Sequence, residues 1–188
     1  FDDAVFVENM AENKKLYVAI ADVSHYVMPE SAIDNEARNR GTSVYFPERV
    51  VPMLPEELSN GICSLVPDKD RLVLVCELVV TPFGKIVSSE FYLGIICSKA
   101  RLIYEDVQDW LDGEKQALGT ASPAVKNNLL GLRQLYDSLK KAKDKRGALE
   151  IDTVEPKFVL NSTGGIENIA ANVRVDAHKI IEECMIAA

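Results

Sequence analysis

The sequence predicts an α+β fold, a curved mixed or antiparallel sheet packed against helices, and three observations carry that prediction. Apolar runs with strand patterning occur at 4–8, 16–23, 71–80 and 85–97. The last two flank Thr81-Pro82-Phe83-Gly84, a composition suited to a hairpin turn. A long amphipathic stretch at 123–146 supplies a helix to cover the sheet.

Shorter helices are predicted at 31–40, with Ser31 as N-cap and Gly41 closing it, and at 55–60, with Pro55 in the first turn and Gly61 just after. A further helix at 104–111 stops at Gly113, and the polar stretch 114–122 leads into the long helix. Leu129, Leu130, Leu132, Leu135, Tyr136 and Leu139 give that helix its apolar face. Its last turns carry Lys140, Lys141, Lys143, Lys145 and Arg146, which suit the negative end of the helix dipole. A solvated helix end is the preferred reading of this basic run, and an RNA-facing role is the other. The runs 157–160 and 165–169 suggest a last hairpin around 161–164. A final helix is expected from about residue 172, with Ala177, Ile180, Ile181, Cys184, Met185 and Ala188 inward.

Composition narrows the class. The 188 residues, 47% of them hydrophobic, suffice for one sizeable core. The best apolar run, 72–80, is broken by Cys76 and Glu77, so no membrane span is expected. The first residues resemble the middle of an element rather than a start or a secretory signal, which points to a longer gene product. The four cysteines lack zinc spacing, and Cys76, Cys97 and Cys184 sit in apolar segments, as expected of reduced, mostly buried thiols in a cytoplasmic protein. A net charge of −8 argues against a free-standing nucleic-acid binder, because phosphate neutralisation needs clustered Lys and Arg.

For chemistry, the one acidic pair beside an apolar strand start is Asp2-Asp3. Adjacent strand residues point to opposite faces, so both carboxylates reach one metal site only if the backbone turns there. Such pairs are common on surfaces, and the residues alone favour that reading.

The surrounding segments are FDDA at 1–4, AIADVSHYV at 19–27, RGTSVYFP at 40–47, VPMLP at 51–55 running into LSNGICSL at 58–65, SKARLIY at 98–104, RGAL at 146–149 and AHKIIEECMIAA at 177–188. In order and wording they resemble the RNB catalytic domain of the ribonuclease II/ribonuclease R superfamily, closer to its ribonuclease R branch. The resemblance implies that residues 1–188 are the N-terminal and central part of a single RNB-type domain, truncated at both ends. It also implies that Asp2 and Asp3 are the last two acids of a D-x5-D-x-D-D motif that binds a divalent metal, Mg²⁺ with Mn²⁺ as the other candidate. Hard carboxylate oxygens suit such a cation, and two ions can activate water while stabilising the leaving oxygen. The first two acids would precede Phe1, and the family's charge-balancing Arg would follow Ala188.

By the same resemblance, Tyr45 stacks on bases near the RNA 3′ end, and Tyr104 and Glu182 lie near the terminal riboses, where contact with the 2′-OH separates RNA from DNA. The second aromatic of the clamp falls close to Ile151, where an aliphatic side chain cannot offer π stacking. Ser24, His25, Arg38 and Arg40 are candidates for contact with the RNA backbone. Metal activation of water leaves His25 no general-base duty.

The implied protein is a processive, hydrolytic 3′-to-5′ exoribonuclease that degrades single-stranded RNA to nucleoside 5′-monophosphates by two-metal-ion catalysis. It would act as a monomer, with flanking oligonucleotide-binding-fold domains supplying positive charge and with this fragment inactive on its own. One rival is an inactive RNA-binding or scaffolding member of the family, and another is a small acidic protein-interaction domain. Cut at both edges, the piece is expected to fold while exposing surface that the missing part normally covers.

Overall fold

The computed structural model describes residues 1–46, 48–149, 155–161 and 165–188, which fall into two compact units. The first comprises Phe1–Asp22, Leu65–Leu149 and Val175–Ala188, and the second the described residues of 23–64 and 150–174. Helices and antiparallel sheets make the fold α+β, as predicted. No helix of the described residues is long and apolar enough to cross a membrane.

In the first unit, β1 (Asp3–Asn9), β2 (Lys14–Ala21), β5 (Asp70–Val80) and β6 (Ile86–Cys97) form one antiparallel sheet in the order β1-β2-β5-β6. The Thr81–Gly84 turn joins β5 to β6, with the Gly84 N–H donating to the Thr81 carbonyl at 2.9 Å. Three helices accompany the sheet: α2 (Tyr104–Leu111), α3 (Pro123–Arg146) and α4 (Asp176–Ala187). α3 crosses β1 and packs on α4, which also meets α2 and β2.

Alternation decides which strand residues the helices cover. Val7, Leu16, Val18, Cys76, Leu78 and Val80 form one buried core with Leu132, Leu135, Tyr136 and Leu139 of α3 and Ile180 and Cys184 of α4. The opposite face carries a polar ladder at this end, where Lys15 Nζ lies 2.6 Å from Glu77 and the hydroxyls of Tyr17 and Tyr92 donate to Glu8 and Glu77 at 3.0 Å. Toward the other end of the core face, Leu74 pairs with Leu93 and Leu72 with Ile95. There Phe91, Leu93 and Ile95 stand 63%, 72% and 68% exposed and leave an open apolar strip.

α3 obeys its predicted signals. Ser122 Oγ accepts from Val125 N–H at 3.3 Å, Pro123 occupies the first turn, and Gly147 ends the helix in the left-handed region at φ 69°. Asn128 seals the exposed edge of β1: its Nδ2 donates to the Val7 carbonyl at 2.7 Å and its Oδ1 accepts the Val7 N–H at 3.4 Å. Gly131 permits this approach, since a Cβ there would lie 2.8 Å from Val7 Cγ1. Leu130, predicted on the apolar face, is instead 47% exposed, because α3 turns its Leu132–Leu135–Leu139 stripe to the sheet.

The second unit holds α1 (Ala32–Arg40), the two-residue pairing of β3 (Val44–Tyr45) with β4 (Val50–Val51), and the hairpin of β7 (Glu155–Leu160) with β8 (Ile166–Asn172). Ser31 caps α1 by accepting from Asp34 N–H, and Gly41 closes it at φ 73°, as predicted. The helix expected at 55–60 is a wider coil over Glu57–Ile62, in which Cys63 N–H reaches back to the Leu58 carbonyl and Gly61 leaves helical geometry. α4 begins at Asp176 rather than near 172, the preceding Asn172 belonging to β8.

None of the four cysteines is in a disulfide; Cys63, Cys76 and Cys184 are buried and Cys97 is half-buried. Burial, seconded by the Glu183 charge, pushes the Cys184 thiol up to about 12 from its ordinary 9.0. Between those values the unfolded chain releases the thiol proton while the folded chain keeps it, so stability is full below about pH 9 and falls as pH rises toward 12. Chemical unfolding across that alkaline range should show a shallower decline for Cys184→Ala than for the wild type. Gly84, at φ 73°, tests the seat of the β5–β6 turn on α3, because an added Cβ would collide with the Ser138 carbonyl oxygen. Gly84→Ala should lower unfolding free energy by roughly 2–4 kcal/mol, measured by denaturant titration.

Candidate active site

The start of β1 is pinned before any side chain acts. Leu65 N–H donates to the Phe1 carbonyl at 2.8 Å and Ala21 N–H to the Asp2 carbonyl at 2.9 Å. The register then sets Asp3 opposite Ile20, in one cross-strand row with Leu74 and Leu93. Asp3 therefore projects on the face that carries Val5 and Val7 and that α3 covers further along. It is half-buried, whereas Asp2 lies just ahead of the strand and is exposed. Burial, reinforced by the Asp2 charge, raises the Asp3 carboxyl above its ordinary value, against the opposing pull of Asp3's own N–H.

Tyr104 opens α2, and its ring stacks on His178 of α4 with centroids 4.1 Å apart and planes 22° from parallel. One turn along α2, Gln108 Oε1 accepts the otherwise unpaired Ala177 N–H at 3.1 Å and so ties the two helix starts together. Val107, Leu118 and Ala177 are buried in a small core around this junction. Burial and, after it, the Asp3 charge raise the Tyr104 phenol above its ordinary value. The phenol therefore lies within electrostatic reach of Asp3, and it stays protonated through the neutral range as a hydrogen-bond donor.

Glu182 sits one helical turn beyond His178 and is half-buried. Its neighbour Glu183 has a different environment: it is 7% exposed, and its Oε1 lies 2.6 Å from Lys143 Nζ of α3. Lys143 is thus a structural cation rather than part of a solvated basic run. Arg101 places its guanidinium 4.4 Å from the centroid of the ring of Phe1, the residue that precedes the acidic pair.

The other predicted residues belong to the second unit. Tyr45, on β3, is 77% exposed. Arg40 is engaged within the unit, its Nε 2.9 Å from Glu36 and its Nη1 donating to the Pro52 carbonyl at 2.9 Å. His25 is exposed in a 3-10 turn, its ring edge-on to Tyr26 at 5.0 Å. Ile151 lies outside the described residues. The structure thus brings together Asp2, Asp3 and Tyr104, and adds His178, which sequence reasoning did not single out. The available signal was the i, i+4 spacing of His178 and Glu182 on a helix.

Two adjacent carboxylates offer the hard oxygens a divalent cation prefers, and a cation would offset the burial and, after it, the Asp2 repulsion that raise Asp3. No third His, Cys, Asp or Glu joins them in a metal-binding cluster among the described residues, so the donor set fits part of a metal site.

An RNB domain matches residues 1–188, and the chain belongs to that family. It is 52% identical to Ribonuclease R of Vibrio parahaemolyticus, covering all of this chain and 22% of that protein. It is 49% identical to Ribonuclease R of Escherichia coli, again over its whole length and 23% of that protein. The chain therefore spans under a quarter of these two relatives. A solved structure of Mycoplasma genitalium RNase R in complex with ribose-methylated single-stranded RNA superposes with a TM-score of 0.94 at 36% identity, covering 100% of this chain and 29% of that one. Yeast Ssd1, described as a pseudonuclease, shares the fold over 80% of this chain with a TM-score of 0.63 at 22% identity.

The two successive glutamates give a direct check on these assignments. Lys143→Met should leave Glu183 buried and unpaired and lower unfolding free energy by roughly 3–5 kcal/mol. Lys143→Met with Glu183→Leu should recover most of that loss in the same denaturant titration.

Proposed function

We propose that the chain is part of a single RNB catalytic domain in a hydrolytic 3′-to-5′ exoribonuclease acting on single-stranded RNA. The observation that carries this reading is the half-buried Asp3 carboxylate at the open end of the core face, close enough for its charge to raise the Tyr104 phenol. Membership of the RNB family supports it. So do the RNA-bound ribonuclease R structures, to which this chain is similar over its whole length.

Asp2 and Asp3 would hold a divalent cation, Mg²⁺ or Mn²⁺, together with acids outside this sequence. When bound, two such ions supply activation of water and stabilisation of charge on the leaving oxygen of the phosphodiester. The protein's own residues position the strand. Tyr104 donates a hydrogen bond at the terminal ribose, and Glu182 accepts one from the 2′-OH, a pairing that favours RNA over DNA. Tyr45 stacks on a base near the 3′ end, which any base permits through its π face.

Degradation is processive and releases nucleoside 5′-monophosphates. The charge of −8 leaves most phosphate neutralisation to other parts of the full-length protein, such as oligonucleotide-binding-fold domains. The enzyme works as a cytoplasmic monomer, and the 188 residues alone are inactive. The intact Asp2-Asp3 pair favours activity over a purely scaffolding role.

In the full-length protein, Asp3→Asn should reduce release of nucleotides from 3′-labelled RNA on the order of a thousandfold while RNA binding by filter retention is unchanged. Undiminished degradation by Asp3→Asn would exclude the proposed site.

A further inference from the structure

We propose that His178 is a positioning residue that holds the Tyr104 phenol beside the acidic pair, so that preference for a ribose 3′ end depends on an imidazole that does not itself touch the substrate. The proposal rests on the exoribonuclease reading of this site.

His178 is itself held from two sides. Its N–H donates to the Val175 carbonyl at 3.0 Å, and its Nδ1 accepts the Val175 N–H at 3.4 Å. An imidazole that accepts at Nδ1 while neutral carries its proton on Nε2, so the Val175 contact fixes the tautomer as well as the tilt of the ring. The face of that ring lies against Tyr104 at 4.1 Å.

Tyr104 lacks comparable support of its own. It stands at the first position of α2, after an Ile103 that provides no side-chain cap, and it is 41% exposed. Among the described residues its hydroxyl makes no hydrogen bond, so the stack on His178 is the contact that selects its rotamer. Gln108 fixes the distance between the two helix starts by accepting the Ala177 N–H, which keeps the pair of rings in register. A ring left without its platform would sample other staggered χ1 wells and carry the phenol away from Asp3. The ordinary alternative is that His178 serves only to satisfy a backbone donor at the start of α4.

The test uses the full-length enzyme and two RNAs that differ only in whether the last nucleotides carry ribose or 2′-deoxyribose. His178→Ala and Tyr104→Phe should each lower kcat/KM for the ribose-ended RNA about tenfold, chiefly through kcat, and alter the deoxy-ended RNA less than about twofold. His178→Phe keeps a stacking face and should return the ribose-ended value to within about threefold of wild type. His178→Asn keeps an acceptor for Val175 but no ring, and should not rescue. The double variant should be no worse than either single one, because both act through the same phenol.

Equal losses on both RNAs, no loss in His178→Ala, or rescue by Asn but not Phe would each overturn the positioning role. So would a Tyr104→Phe enzyme with unchanged ribose preference, even while Asp3→Asn remains inactive; in that case the exoribonuclease reading survives and this inference alone fails. Activity retained by Asp3→Asn would remove both.

Discussion

Because β1 pairs with β2 so that Asp3 stands opposite Ile20, the first carboxylate of the strand shares a face with Val5 and Val7. That register is the constraint from which the rest of the site follows. A slip of one residue would turn Val7 to solvent and Asp3 to the opposite face, away from the helices. Burial of Val7 under α3, the paired hydrogen bonds of Asn128 to its backbone and the close approach allowed by Gly131 all oppose the slip. Core packing and placement of an acid are thus one event rather than two.

The second half of the site depends on helix starts. α2 and α4 meet where the start of α4 has backbone donors without helical partners, and one side chain from each helix satisfies one of them. Gln108 serves Ala177 and His178 serves Val175, and the second of these also presents a ring face to Tyr104. A hydrogen-bond requirement of the backbone has therefore been met with groups that order an aromatic residue next to a carboxylate. The Lys143–Glu183 pair ties α3 to α4 close by, which links the junction to the helix that fixes the register of β1.

Periodicity made most of the architecture legible. The four long strands, the bounds of α2 and α3, and the caps at Ser31 and Gly41 follow from local rules that tertiary context did not override. β3 and β4 were not legible, because two residues each cannot display an alternation. The start of α4 was misplaced because Asn172 is drawn into β8. Leu130 falls within the apolar face that the helix pattern predicts, whereas the rotation of α3 about its axis is set by Gly131 and Leu135 meeting the sheet. At the site, the adjacent Asp2 and Asp3 were visible and the family resemblance supplied Tyr104 and Glu182, but the stack of His178 on Tyr104 was not legible. Which of Glu182 and Glu183 is buried, and that His178 supports Tyr104, depend on how distant helices meet.

The claim most exposed to experiment is that this register places Asp2 and Asp3 to bind a divalent cation beside Tyr104. Anomalous diffraction from crystals of the full-length protein grown with Mn²⁺ reads it directly. A manganese peak with Asp3 oxygen at about 2.1 Å, and the Tyr104 ring still stacked on His178, is the expected result. Manganese bound elsewhere, with Asp3 turned away from Tyr104, would contradict it.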